Sequence, residues 1–446
     1  MTAIGSQTIT YLVVVNIERF IANKIAFSQS NSFTRTIMHI AIASVALCIA
    51  VVILTTAVIT GFKNEITQKI FGFWGHIDIT NHAVRRNYEA IPLDNNAAYI
   101  DSIKRIRQVS MEQMVESTNG KQLRTIKSKA GVDYVQSICL IPGIIKTATE
   151  FESIIIKGIG EDFQWEHMDD FIVKGTKLEL DQDEMSNGIL ISEHTAKALS
   201  LEVGQDILVT FLRNAERKQI PRKFKVQGLY KTGLQEYDVR FALADIRKIQ
   251  QVFGWEDNQV MGMEVFIENI DDLNILNDFI YLDVLPGQMY SETVRAKFPA
   301  IFGWLELQNI NEYVILSLMT IVAVINMITA LLILMLERSR MIGVLKALGS
   351  NNWSIRKIFL IKAFHIIKWG LIIGNVVGLL ICYIQKKFEI IKLNEENYYL
   401  SSAPIELNIP YIILLNVGVV SIILLFLIIP TYLITRMSPV KVLRFN

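Results

Sequence analysis

The sequence predicts an α+β membrane protein, with four transmembrane helices, one before and three after a large mixed α/β domain on the far side of the membrane. Three observations predict it. Hydrophobic residues make up 51% of the 446 and mean hydropathy is +0.35, yet 20% are charged. That is too apolar for an ordinary soluble chain and too charged for a wholly embedded one. Four apolar runs, residues 37–60, 313–336, 363–385 and 411–434, carry a single formal charge, Lys368. At 1.5 Å per residue each is long enough to cross a hydrocarbon core of about 30 Å. Charge is also segregated. Residues 1–36, 337–362 and 434–446 hold 12 basic and 2 acidic residues, while 63–312 hold 28 basic and 37 acidic. The positive-inside rule puts the first group in the cytoplasm and the long acidic region outside, and a net charge of −9 there argues against nucleic acid as a partner.

In chain order, residues 1–36 read as a cytoplasmic interfacial segment. Within it, 11–25 mixes Leu12, Val15, Phe20 and Ile21 with Asn16, Arg19, Asn23 and Lys24, as in a helix lying on the membrane surface. Residues 37–60 then serve as an uncleaved signal anchor, since the run is too long for a signal peptide and lacks a small-x-small cleavage site. The outer domain spans 61–312. Alternating apolar patterns predict strands at 76–80, 153–157, 188–192, 206–210, 223–228 and 261–267. Helical spacing predicts helices at 99–107, 193–199, 243–253 and 273–282. Strands and helices do not alternate strictly, which favours α+β, and two subdomains are expected: one from segments near 63–100 and 220–312, the other from the middle.

The stretch that organises the membrane part follows. The span 313–336 leads into a cytoplasmic loop, 337–362, with six basic residues (Arg338, Arg340, Lys346, Arg356, Lys357, Lys362) against one acid, Glu337. Inside it, Ile342, Leu345 and Leu348 recur at helical spacing and Gly349 is placed to cap the segment. A loop that only set topology would need no second apolar face, so a cytoplasmic partner is expected there. The span 363–385 carries Gly370, Gly374 and Gly378 at i, i+4, i+8, a stripe that permits close helix packing. An outer loop, 386–409, the span 411–434 and a cytoplasmic tail, 435–446, complete the chain.

Several chemistries are absent. Cys48 and Cys382 lie in apolar runs and Cys139 stands alone, so no disulfide framework exists. The six histidines show no metal-ligand spacing. No G-x-x-x-x-G-K-[ST] occurs, so ATP, if used, is hydrolysed by another subunit. The chain is predicted to be a non-catalytic transmembrane subunit that binds no cofactor or metal.

The run Glu337-Arg338-Ser339-Arg340-Met341-Ile342-Gly343-Val344-Leu345-Lys346-Ala347-Leu348-Gly349 resembles the coupling helix of the FtsX-like permeases, ABC transporter subunits that include MacB, FtsX and LolC/LolE. Met341 departs from the pattern by standing where the family carries an acid. Gly75-His76-Ile77-Asp78-Ile79, Ile156-Lys157-Gly158-Ile159, Gly188 to Ser192, and Thr232, Gly233, Glu236, Tyr237 and Asp238 are similar to LolC/LolE in order and spacing, as are Phe302-Gly303-Trp304 and the segment from Asn397 to Ile405.

This resemblance implies a MacB-like outer domain and a permease in the bacterial inner membrane, paired as a homo- or heterodimer on LolD-like ATPase subunits that use ATP and Mg. It also implies a lipid-exposed cleft between the first two spans that takes lipoproteins and passes them to a LolA-like periplasmic carrier. The expected coupling residues are Glu337, Arg338, Arg340, Met341, Ile342, Gly343, Leu345, Lys346, Ala347, Leu348 and Gly349. Leu47, Val51, Leu54, Leu316, Met319, Thr320 and Met327 are expected to face the cleft, and Arg213, Arg217, Lys218 and Pro221 to mark the carrier-docking segment. A LolC-like and a LolE-like role both remain open. Two other readings stand beside this one: an FtsX-like signalling permease controlling periplasmic cell-wall hydrolases, and a MacB-like exporter component, although the fused ATPase of MacB is missing here.

Overall fold

The computed structural model describes residues 32–87, 91–117, 120–147, 150–180, 184–213 and 218–432. The expected interfacial helix at 11–25 and the tail at 435–446 lie outside these residues. The chain divides into two compact units: the described residues up to 62 with 306–391 and 403–432, and residues 63–305 with 392–402.

Five helices build the first unit: α1 (Ser32–Phe73), α2 (Pro299–Glu337), α3 (Ser339–Ala347), α4 (Asn352–Phe388) and α5 (Ile409–Thr431). All but α3 are long and apolar enough to cross a membrane. α1 and α2 run on well past the charge-free spans, because hydropathy marks the apolar part of a helix and not its ends. The glycine stripe of α4 packs on α1. A Cβ on Gly370 would lie 2.7 Å from Val45 Cβ, and one on Gly374 would lie 2.6 Å from the carbonyl oxygen of Ala46. Backbones approach this closely only where side chains are missing. Asn416 Nδ2 donates to Asn375 Oδ1 (2.8 Å), tying α5 to α4. At the start of α5, Asn408 accepts from the Tyr411 N–H, satisfying one orphan donor of the first turn.

The second unit carries a ten-stranded sheet. Its strands are β1 (Ile77–Asn81), β2 (Val132–Lys146), β3 (Phe151–Ile159), β4 (Ile172–Gly175), β5 (Gly188–Ser192), β6 (Asp206–Arg213), β7 (Lys218–Tyr230), β8 (Phe241–Asp245), β9 (Gly262–Ile267) and β10 (Met289–Thr293). The order is β10-β1-β9-β2-β3-β8-β5-β7-β4, with β6 pairing both β7 and β2. β2, β3, β8, β5, β7 and β6 therefore close a ring. β8 lies parallel to β3 and β7 parallel to β5, while the other pairs are antiparallel. β2 joins the two parts of the sheet: Val132 to Ile138 pair with β9, and Gly143 to Lys146 pair with β6.

The two expected subdomains thus share one sheet, and a single buried cluster runs from Ile77 and Val265 to Val209 and Phe224. Most predicted elements are present. One reading needs correction: 243–253 is not helical throughout. Leu243 to Asp245 belong to β8, where Ala242, Leu243 and Ala244 are fully buried between β3 and β5, and the helix is Ile246–Phe253. Burial between two strands outweighs the helix propensity of Ala and Leu. Asp245 then caps the helix by accepting from the Arg247 N–H (2.9 Å).

Candidate functional site

The segment expected to couple is helical, α3 spanning Ser339–Ala347, as its spacing predicts. α3 ends in a Schellman arrangement: the Ser350 N–H donates to the Leu345 carbonyl (2.9 Å) and the Gly349 N–H to that of Lys346 (3.0 Å). Gly349 sits at φ +86°, a conformation that favours glycine. The helix has two apolar sides. Ile342 is fully buried in a cluster with Ile355 and Phe359, and Met341 and Leu345 pack against it. Val344 and Leu348 face out, with Leu348 78% exposed, and Arg340, Glu337 and Ala347 are exposed as well. Trp353, on the first turn of α4, adds a large exposed ring. The predicted stripe is therefore divided, with Ile342 anchoring α3 and Leu348 available to a partner.

Between α1 and α2 lies an open groove of about 490 Å³. Leu54, Thr55, Val58 and Ile59 line one wall, and Gln308, Asn311, Val314 and Ile315 the other. Leu54 is the one predicted cleft residue among them. Leu47 is exposed, Val51, Leu316 and Met319 are half-buried, and Thr320 and Met327 are buried, with Thr320 Oγ1 donating to the Leu316 carbonyl (2.7 Å). In spans apolar on every side, sequence could not say which face turns inward. Two polar ties cross between these helices. Thr56 Oγ1 donates to Glu312 Oε1 (3.2 Å), both buried, and Asn326 Nδ2 donates to Ser44 Oγ (2.6 Å).

The expected docking segment joins β6 to β7. Arg213 and Lys218 are register partners at the ends of these strands, and Pro221, the register partner of Thr210, is exposed. Arg217 lies outside the described residues.

Two family descriptions match this chain. The MacB-like periplasmic core domain covers residues 39–275, and the FtsX-like permease C-terminal covers 313–439. The chain belongs to the MacB-like periplasmic core domain family and ends in an FtsX-like permease part. Among its relatives, the lipoprotein-releasing system transmembrane protein LolE of Haemophilus influenzae is 23% identical over 93% of this chain and 96% of its own length. The corresponding LolC of Neisseria meningitidis is 20% identical over 94% and 96%. The extracellular domain of a noncanonic ABC-type transporter from Gram-positive bacteria is 14% identical, covering 49% of this chain and 99% of that domain, with a TM-score of 0.31.

In the MacB-like domain, the motifs that carried the resemblance prove to be structural. Asp238 accepts from the Thr232 N–H (3.0 Å), Thr232 Oγ1 (2.8 Å) and the Gly233 N–H (3.0 Å), which fixes the turn after β7. Burial pushes its carboxyl above the usual range, and those three donors pull it back. Lys231 reaches Glu395 of the loop between α4 and α5 (2.6 Å). His76 Nδ1 accepts from the Ile267 N–H (2.9 Å), and burial draws its pKa down to about 4.

Sequence reasoning missed one group altogether, a buried cluster of charge. Lys157 and Glu264 are joined there by Gln136, whose Nε2 donates to Glu264 Oε2 (2.6 Å). Asp78 pairs with Lys297, whose ammonium lies 3.5 Å from the centre of the Trp74 ring. The signal that could have found it is Lys157 itself, a lone charge in the apolar run from Ile154 to Ile159. Burial pulls Lys157 below the usual lysine range, with Glu264 opposing. Cys139, also buried, is pushed up to about 12 and is inert as a nucleophile.

Proposed function

We propose that this chain is the permease subunit of an inner-membrane ABC transporter that extracts lipoproteins from the outer leaflet and hands them to a periplasmic carrier, driven by a separate ATPase. The observation that carries this reading is the full-length similarity to LolC and LolE, over 93% and 94% of the chain and 96% of each relative, together with a lateral groove between α1 and α2. The task needs an energy source. Drawing one sixteen-carbon acyl chain out of a bilayer costs on the order of 12 kcal/mol at about 0.8 kcal/mol per CH₂.

The packing supplies a route for work. An ATPase engaging Val344, Leu348, Arg340 and Trp353 would press on α3, and Ile342, locked against Ile355 and Phe359, would carry the push into α4. α4 lies backbone-close to α1 along its glycine stripe, so α4 and α1 move together against α2. The Thr56–Glu312 and Asn326–Ser44 bonds are the ties that such a motion loads. Two copies, or this chain with a paralogue, would enclose the cargo path. The segment joining β6 to β7 is the proposed carrier contact.

Depleting the protein and fractionating the envelope tests the proposal. Retention of lipoproteins in the inner membrane is the expected result. A division or lysis defect with normal lipoprotein sorting would overturn it in favour of the signalling alternative.

A further inference from the structure

Residues 392–402, between α4 and α5, do not pack with the helices they connect. α4 and α5 belong to the first unit, whereas this loop belongs with residues 63–305. Its two feet are knitted together first. Gln385, 4% exposed near the end of α4, accepts from the Ile391 N–H (3.0 Å) and donates to the Ala403 carbonyl oxygen (3.1 Å), and Lys392 pairs with Ser402 in a β-bridge. A buried amide with both ends bonded fixes the spacing of the strands that leave it.

The tip of the loop is held by three other elements of the second unit. Lys231, after β7, reaches Glu395 (2.6 Å). Lys69, in the outer part of α1, donates to the Tyr399 carbonyl oxygen (3.2 Å). Trp304, near the start of α2, meets the Tyr399 ring edge-on with centroids 6.4 Å apart, and Leu400 beside it is buried. Tyr399 sits at φ +60°, a left-handed conformation that is unfavourable for a bulky residue and persists only where the surroundings fix it. An ion pair as exposed as Lys231–Glu395 holds little by itself. Here it is one of several contacts on a backbone already bent to make them.

We propose that this loop is a latch, with Glu395 and Tyr399 as its positioning residues, through which α4 and α5 hold the outer domain and pass to it the push received at α3. α1 and α2 enter that domain as continuous helices, while α4 ends at Phe388 and α5 begins at Ile409, with the loop as the chain between them. The step from latch to cargo rests on the function proposed above; the latch itself does not.

The test uses the full-length chain assembled with its ATPase in proteoliposomes. The broken latch is Lys231→Cys with Glu395→Cys and Tyr399→Gly, which removes the ion pair and the ring contact and lets the backbone relax. A short bis-maleimide joining the two new thiols closes it again, since Cys48, Cys139 and Cys382 are buried. Spin labels carried on unnatural amino acids at the exposed positions Glu202, in the outer domain, and Phe388, at the end of α4, report the distance between them. The wild type should give one narrow distance distribution. Breaking the latch should at least double its width and lower lipoprotein release about fivefold while ATP hydrolysis continues, and cross-linking should restore both. Lys129→Cys with Asp271→Cys, which removes an exposed ion pair (2.8 Å) that does not involve the loop, should change neither. A distribution that stays narrow in the broken variant, or stays broad after cross-linking, overturns the latch. A distribution that broadens and recovers while release is unchanged overturns the transmission to cargo. A wild type that releases no lipoprotein refutes the function proposed above, and the distance measurement then decides the latch alone.

Discussion

Lys157 Nζ lies 2.7 Å from Glu264 Oε1 and 2.9 Å from Oε2, and neither side chain is exposed at all. Lys157 also donates to the carbonyl oxygen of Phe73, in the last turn of α1, and its ammonium stands 4.7 Å from the Trp74 ring. The pair thus pins the end of the first long helix to strands β3 and β9. Removing one partner strands the other: Lys157→Met should cost about 3–5 kcal/mol. Replacing both, as in Lys157→Met with Glu264→Leu, should recover most of that loss. Chemical unfolding of the three proteins, followed by tryptophan fluorescence, checks the sign; a double variant as unstable as the single would contradict the account.

His76 gives the outer domain a pH dependence. Its folded pKa is drawn down to about 4 by burial, assisted by the charge of His167, while an unfolded histidine titrates near 6.5. Above pH ~6.5 both states are neutral and nothing is lost. As pH falls towards about 4 the unfolded chain takes up a proton that the folded one refuses, so stability drops, by on the order of 2–3 kcal/mol. His76→Asn keeps an acceptor for the Ile267 N–H and does not titrate. The difference in stability between wild type and variant should change across pH 6.5 to 4 and be flat above it.

Glycine packing separates two superficially similar substitutions. On α4, a Cβ at Gly374 would come within 2.6 Å of the Ala46 carbonyl oxygen and 2.7 Å of Ile49 Cβ, whereas at Gly418 on α5 nothing lies within 4 Å. Gly374→Ala should force α1 and α4 apart and cost about 1–3 kcal/mol. Gly418→Ala should be neutral or stabilise by up to about 1 kcal/mol through helix propensity. Thermal unfolding in detergent distinguishes them.

How much of this was legible depends on whether the signal is local. Four apolar runs, the Gly349 cap and the glycine stripe are all set by residues within a turn or two of one another, and each reads directly from the sequence. The Lys157–Glu264 pair spans 107 positions and the Thr56–Glu312 bond 256, and no local pattern announces either. β2 was missed because Pro142 and Gly143 interrupt its apolar alternation at the place where it changes partner from β9 to β6. The facing of α1 and α2 was illegible for another reason: when every residue of a span is apolar, periodicity carries no direction. Of the residues expected from sequence to face a cleft, Leu54 lines the groove, beside Val58 and across from Gln308.

α3 offers a prediction that divides docking from folding. Ile342→Asp places a carboxylate in the packed core of the bundle and should prevent stable expression. Val344→Asp and Leu348→Asp change exposed positions, should fold normally, and should lower ATPase-dependent activity at least tenfold by blocking apolar docking. Co-purification with the ATPase subunit reports the contact directly. If both exposed variants retain full assembly and activity, the outward face of α3 is not the coupling surface.

The groove between α1 and α2 can be tested by filling it. Val58 and Ile315 stand on opposite walls, so Val58→Trp and Ile315→Trp each occupy its volume from a different helix, while Leu47→Trp enlarges an exposed residue of α1 that does not line it. If cargo enters here, both groove variants lower lipoprotein release in proteoliposomes at least tenfold with ATP hydrolysis retained, and Leu47→Trp releases normally. Thr56→Val adds a second arm. It removes the buried donor to Glu312 Oε1 at a cost of about 1–3 kcal/mol, leaving a carboxylate short of one partner between the two helices. A tie that resists opening should, once cut, raise basal release without ATP, whereas a purely structural bond would lower stability and leave basal release where it was.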